Sequence, residues 1–264
     1  MKERPILFST EMVQAILEGR KTQTRRILKP QIEKREIFWN WNGRTASNSL
    51  EHLCNVAIPM YCPYGQPGDR LWVREKFAKT MGDFEPEICF SFFADDFHWS
   101  WKPGKSPKGK TSCQWRDPEL SEGVKWKPAR YMPIEAARIW LEVEEVRVER
   151  LESISDQDAK AEGINFVVDK ITGGGYDYLI GGYNLMITPR HSFMSLWRKV
   201  HGIERYKPTG NPWVWVIKFK VLSVTGKPSF EDVDWEKLKA LKKLYDEAGS
   251  PIPLCKGGRG TSNK

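Results

Sequence analysis

Two hydrophobic periods alternate along this chain, and the points where one replaces the other mark most of its elements. Pro5-Ile6-Leu7-Phe8 is a short apolar run that reads as a strand. Ser9 or Thr10 then caps a helix whose Met12, Val13, Ile16 and Leu17 make one stripe. Gly19 suits the left-handed position that ends such a helix. From Lys21 to Arg26 the pattern changes to alternation, the mark of a strand. Period two puts Thr22, Thr24 and Arg26 on one face and Lys21, Gln23 and Arg25 on the other. Lys21 and Thr24 therefore converge only if Lys21 lies in the turn ahead of the strand.

Residues 29–66 carry no regular period and are expected to be irregular, with Trp39 and Trp41 in a polar surround. Pro63-Tyr64-Gly65-Gln66-Pro67-Gly68-Asp69 is turn chemistry, and it launches an alternating strand over 70–75. A second strand is predicted over 88–94 and a mobile basic loop over 102–128. Residues 139–150 form a strand in which Leu141 and Val143 give way to Val146 and Val148; the slip at Glu144-Glu145 predicts a β-bulge. Ser155 opens a short helix over 156–162 that Gly163 closes. Residues 165–190, with Gly173-Gly174-Gly175 and Gly181-Gly182, read as a flexible insertion. A phosphate cradle there lacks the Lys-Ser/Thr and the strand–helix frame that it needs. Ser192 is expected to cap a helix with Phe193, Leu196, Trp197 and Val200 on one face, ended by Gly202. Asn211-Pro212 leads into the clearest strand of the chain, with Trp213, Trp215, Ile217, Phe219 and Val221 on one side. An amphipathic helix is predicted over 229–248, before a Pro/Gly/Lys-rich tail expected to be disordered.

Several bulged strands and few helices, without regular alternation between them, point to an α+β fold: a small mixed β-barrel wrapped by helices. One domain is expected over 1–225, with large loop insertions near 30–60, 80–128 and 165–190. A C-terminal helix (226–249) and the tail (250–264) follow it.

Charge adds a partner class. The net charge is +8 and the pI near 9.1, which suits a polyanion. The excess is local: residues 1–44 hold ten Lys/Arg against five Asp/Glu and residues 100–138 nine against four, whereas 45–99 hold four against eight. Five cysteines at irregular spacing, without a CxxC, argue against a disulfide framework and for a reducing cytoplasm. Zinc held by Cys54, Cys62, Cys113 and a histidine lacks the paired short spacing of such sites. No metal or cofactor is expected. The chain shows no apolar signal core and no run near the ~20 residues of a membrane span, so a cytoplasmic protein without a membrane partner is expected. The oligomeric state is not assigned.

Four ordered motifs carry a resemblance. The helix followed by Gly19-Arg20-Lys21-Thr22-Gln23-Thr24-Arg25-Arg26 resembles the signature of the ASCH domain, a PUA-like β-barrel family. Gly68-Asp69-Arg70-Leu71-Trp72-Val73-Arg74-Glu75 is similar to its Gly-Asp turn and following strand. Ile154 to Ile164, with Glu162-Gly163, is similar to its later helix. Asn211-Pro212-Trp213-Val214-Trp215-Val216 resembles the closing strand of the long phage- and prophage-type branch. The likeness covers most of residues 4–224. It implies binding of RNA or of a modified nucleoside. Compact members of the family are similar to amidohydrolases that deacylate 4-N-acetylcytidine with a Lys, a Thr and a Glu. By motif those positions are Lys21, Thr24 and Glu162.

That set is chemically coherent. A desolvated lysine can act as a base and activate a hydroxyl or a water against an amide carbonyl. A close carboxylate opposes this by raising the lysine pKa, so burial must dominate or Glu162 must be the base. The plainer alternative is a strand-edge lysine, a β-forming threonine and a helix-end carboxylate. Arg20, Thr22, Arg25, Arg26, Trp72 and Arg74 are the candidate substrate or nucleic-acid contacts, through phosphate or stacking. Trp213 and Trp215 read as core; Trp39 and Trp41 read as stacking or lid residues. Three functions follow: an amidohydrolase of acylated cytidine, a non-catalytic nucleic-acid reader, or a metal-independent ribonuclease.

Overall fold

The computed structural model describes residues 1–81, 88–94, 97–101, 108–109, 125–168, 174–177, 185–201 and 211–228. The chain divides into two units, Met1–Pro228 and Ser229–Lys264; residues 226–228, assigned to the expected C-terminal helix, are non-helical and belong to the first, while the rest of that helix and the tail lie in the second, outside the described residues. In chain order the first unit begins with β1 (Glu3–Leu7), α1 (Thr10–Leu17) and β2 (Gln23–Ile27). Then come β3 (Glu33–Lys34), β4 (Trp39–Trp41), β5 (Thr45–Ser47), the helical turn α2 (Leu50–His52) and β6 (Arg70–Arg74). β7 (Phe77–Met81), β8 (Ile88–Phe92), β9 (Phe97–Trp101) and β10 (Lys108–Gly109) form an antiparallel sheet of their own. β11 (Trp140–Arg150), α3 (Asp156–Ala161), β12 (Asn165–Val167), β13 (Gly175–Asp177), α4 (Pro189–His201) and β14 (Trp213–Ser223) follow.

The central sheet has five strands in the order β1-β6-β11-β14-β2. β1 runs parallel to β6, and the other neighbours are antiparallel. The fold is therefore α+β with a mixed sheet. One face buries Leu71, Val73, Leu141, Val143, Trp215 and Ile217 in the main core, against α1 and the segment that carries Leu53 and Ile58. The register shift between Val143 and Glu145 is the bulge expected from the slipped alternation. It returns Val146 and Val148 to the face of Leu141 and Val143, so one extra residue keeps a single core continuous. The opposite face splits: Trp72 and Trp140 pack with Phe77 and Phe92 of the second sheet, while Val214 and Val216 pack under α3 and α4 with Phe193 and Trp197.

β1 and β2 are the edges of this sheet and do not pair with each other among the described residues, so no closed barrel forms. The two edges are instead joined by a side chain: Arg26 Nη2 donates to the Leu7 carbonyl at 2.6 Å.

Several local expectations change. Residues 29–66 are not irregular throughout, since β3, β4 and β5 make an antiparallel meander. Trp41 of that meander is core, not a lid. Its indole nitrogen donates to Pro30 O at 2.8 Å, and its ring meets Trp215 edge-on at 6.1 Å. The basic stretch from 102 contributes β10, and its remaining residues up to 124 lie outside the described set. The 165–190 insertion holds the β12–β13 pair, while Gly173 and Gly181-Gly182 are not described. α4 starts at Pro189 rather than after Ser192. The hydroxyl of Thr188 accepts from His191 N at 3.2 Å, and Ser192 is buried inside the helix. The expected end at Gly202 is outside the described residues. No helix among the described residues is long and apolar enough to cross a membrane.

Candidate functional site

Residues 19–22 are gripped by the backbone on three sides. Gly19 takes φ +74° and turns the chain out of α1, after which Lys21 N donates to Ala15 O at 2.9 Å. Thr22 N donates to Ala161 O and Phe219 N to Thr22 O, each at 2.9 Å. Lys21 and Glu162 thus form an isolated antiparallel bridge ahead of β2, and Lys21 lies before the strand proper, as strand periodicity requires. The approach is close enough to demand glycine next to Glu162. Gly163 has φ +104°, and a Cβ there would stand 2.9 Å from the Ala15 Cβ and 3.4 Å from that of Lys21.

This bridge buries an ion pair. Lys21 is 1% exposed and Glu162 5%. The Lys21 ammonium donates to Glu162 Oε2, to Glu162 O and to Gln23 O, each at 2.8 Å. An ammonium has three donors, and all three are engaged. Burial holds the Lys21 pKa below 10.5, with Glu162 pulling it back up and the nearby Arg26 and Arg25 adding to the depression.

Glu162 is shared between two cations. Arg25 Nη1 donates to its Oε1 at 3.2 Å, while Arg25 Nη2 reaches Glu149 at 3.2 Å and Asp158 at 3.3 Å. The Arg25 side chain is fully buried, so it organises carboxylates and is not an open phosphate contact. Asp158 also accepts from Gln23 Nε2 at 3.2 Å and from Arg147 at 3.4 Å. Burial raises the Asp158 pKa, but Arg25, Gln23, Arg147 and Ser155 outweigh it and hold the carboxyl below 3.8.

On the other face of β2, Thr24 stands opposite Ile217 and Arg26 opposite Trp215, both toward the main core. Thr24 is buried, and its hydroxyl makes no hydrogen bond to Lys21, to Glu162 or to any other of the described residues. The half-buried Arg26 lies over the Phe8 ring at 5.2 Å, and Lys21 Nζ is 5.7 Å from the same ring. Burial lowers the Arg26 pKa against the pull of Tyr64 and Glu162, and burial raises that of Tyr64 against Arg26. Lys21, Arg26, Glu162, Phe8 and Tyr64 therefore gather where the edges β1 and β2 come together.

No family model, no curated protein and no solved structure matches this chain. The site must speak through its own geometry.

The other candidates scatter. Arg20 is half-buried, donating to Glu18 and to Gly163 O, and so clasps the end of α3. Thr22 acts through its backbone, with its side chain exposed. Trp72 is buried beneath Arg74, whose guanidinium lies 4.5 Å from its ring; Trp72 is core and not an open stacking surface. Cys54 and Cys62 are buried thiols, each pushed up to about 11 by burial, which disfavours the thiolate a zinc ligand needs. Cys113 is outside the described residues, among which no cluster is placed to hold a metal ion.

Motif reasoning missed Tyr64, Asp158 and Glu149. Asp158 carried a signal: it lies four residues before Glu162, on the same helical face. Tyr64 had none, being one polar aromatic in a turn.

Proposed function

We propose that this chain is a PUA-like protein of the ASCH type that binds RNA or a modified cytosine nucleoside at the junction of β1 and β2. We further propose that it hydrolyses the amide of 4-N-acylated cytidine. The observation that carries this reading is the 2.8 Å contact between buried Lys21 and Glu162, residues 141 apart in the chain. The barrel-like part is supported by the parallel β1–β6 pair and by Arg26, which ties the free edges together.

In the resting site the lysine is a satisfied ammonium, so Glu162 is the better base. A water, or the otherwise unbonded Thr24 hydroxyl, gives its proton to Glu162 as it attacks the acyl carbon. The Lys21 ammonium stabilises the oxyanion by exchanging one carbonyl acceptor for it. Collapse breaks the C–N bond, and the proton held by Glu162 passes to the exocyclic amine. The products are a carboxylic acid and cytidine; attack by Thr24 adds an ester that water then cleaves by the same route.

A second reading, a reader that binds without cutting, is favoured by the three satisfied donors of Lys21 and its 1% exposure. Incubation with 4-N-acetylcytidine separates the two. Acetate and cytidine released by the wild type, and lost in both Lys21→Ala and Glu162→Gln, are expected of the hydrolase. Absence of turnover in the wild type, with salt-dependent retention of RNA, would leave the reader.

A further inference from the structure

A second cationic surface lies one strand away from this site. Arg74 is the partner of Leu7 in the β1–β6 register, and the Leu7 carbonyl is the group that receives Arg26. From Arg74 the surface runs outward. Arg74 Nη1 donates to Arg130 O at 3.4 Å, and the Arg130 guanidinium lies 5.8 Å from the ring of Tyr131, which is 66% exposed. Lys76 caps the ring of Phe93 at 3.4 Å and reaches that of Trp126 at 5.6 Å. Phe93, 40% exposed, meets Trp126 edge-on at 5.1 Å. The bridge between Phe77 and Lys127 holds the 125–131 segment beside β7, on the side of Lys76 and Phe93.

Across residues 72–81, 88–94 and 125–132 the sequence holds six cations (Arg74, Lys76, Lys79, Lys125, Lys127, Arg130) and one carboxylate, while the exposed Glu135 lies four residues beyond Tyr131 and Asp95 and Asp96 follow Ala94. That carboxylate, Glu75, is buried in an ion pair with Arg138 at 2.8 Å and contributes little to the outer field. Tyr131, the most exposed of these rings, offers a π-face to an unstacked base, and the exposed Lys125, Lys127 and Arg130 offer positive charge to the linking phosphates, while a face of Phe93 is already taken by Lys76. This is the chemistry that retains a single strand without reading its sequence.

We propose that this strip, from Arg74 to Tyr131 and Phe93, is a docking surface for single-stranded RNA. It receives the strand that flanks a base held at Lys21–Glu162. The choice of RNA rests on the proposed function; the surface itself rests on the rings and charges. A duplex is a poor fit, because its base faces are already stacked.

The test is fluorescence anisotropy of the full chain with labelled oligouridine, with an RNA duplex of equal length as comparison. Tyr131→Ala is expected to weaken oligouridine binding about tenfold, whereas Tyr131→Phe retains it. The double variant Lys125→Ala/Lys127→Ala is expected to reduce the slope of log affinity against log salt by about 1.4, or ~0.7 for each phosphate no longer neutralised. Tyr131 is on the surface, so the unfolding midpoint of its variants should match the wild type. Failure of the wild type to bind oligouridine overturns the proposal. So does binding that Tyr131→Ala leaves unchanged, or a duplex bound as tightly as the single strand. Deacylation of 4-N-acetylcytidine is followed alongside, and Tyr131→Ala should leave it intact. Turnover without oligouridine binding rejects the surface alone; oligouridine binding abolished by Tyr131→Ala, without turnover, rejects the hydrolase alone.

Discussion

Removing either partner of the Lys21–Glu162 pair should destabilise the protein, and the two removals should differ in size and in pH dependence. Glu162→Gln leaves two buried cations, Lys21 and Arg25, facing an amide in place of a carboxylate. Breaking a buried pair in this way costs about 3–5 kcal/mol. Lys21→Met is milder, because Glu162 keeps Arg25 at 3.2 Å. Its cost is the loss of one charged donor and of its bonds to two carbonyls, roughly 2 kcal/mol. In Lys21→Met/Glu162→Gln the stranded lysine is gone, so the double variant should cost less than the sum of the singles by about 1 kcal/mol or more.

The pH dependence follows from the sign of the Lys21 shift. Burial places its folded pKa below the ordinary 10.5. Between those two values the unfolded chain holds a proton that the folded chain has released, so stability rises with pH across that window. Below the folded pKa the lysine is charged in both states and the rise disappears. Glu162→Gln removes the influence that pulls the pKa back up, so the window should open at lower pH and the deficit of this variant should shrink as pH rises. The slope can reach about 1.4 kcal/mol per pH unit. Urea unfolding followed by tryptophan fluorescence, from about pH 7 to 10.5, measures it, with Lys21→Met as the reference that lacks the titrating group. A Glu162→Gln deficit that stays flat or grows with pH would refute the reasoning. A Lys21→Met variant less stable than Glu162→Gln would do the same.

Two further outcomes test the frame around the pair. Gly163→Ala should be clearly more destabilising in chemical denaturation than Gly19→Ala: both take positive φ, but only at Gly163 does a Cβ collide with its surroundings, 2.9 Å from Ala15. Asp158→Asn should remove stability that the wild type holds above pH 3.8 and loses as pH falls through the depressed folded pKa of Asp158; acid titration of the unfolding midpoint reads it, and identical acid limbs would count against the Arg25 network.

What was legible in the chain is what local rules govern. The helix before Gly19, the bulge at Glu144-Glu145, the capped helix ending at Gly163 and the long closing strand all announce themselves by period, cap and turn residue, and each is present. The meander at 33–47 did not, because strands of two or three residues are too short for a period to register. At the site the same division holds. Strand parity required Lys21 to sit ahead of β2, and it does; motif order brought Glu162 to it, and the two touch. Thr24 belongs to the opposite face by the same parity, and the structure leaves its hydroxyl unbonded to either partner among the described residues. Arg25 shows the limit most clearly. As one arginine in a basic run it resembled a phosphate ligand, because nothing local distinguishes a buried guanidinium from an exposed one. Its three carboxylates come from positions 149, 158 and 162, and only the folded chain assembles them. A basic patch on paper thus becomes a nearly neutral buried network, with Arg26 turned onto the Leu7 carbonyl and the Phe8 ring. The proposed retention of RNA should therefore respond to the exposed Arg130 and Lys127 more than to Arg25, whose loss is first a loss of stability.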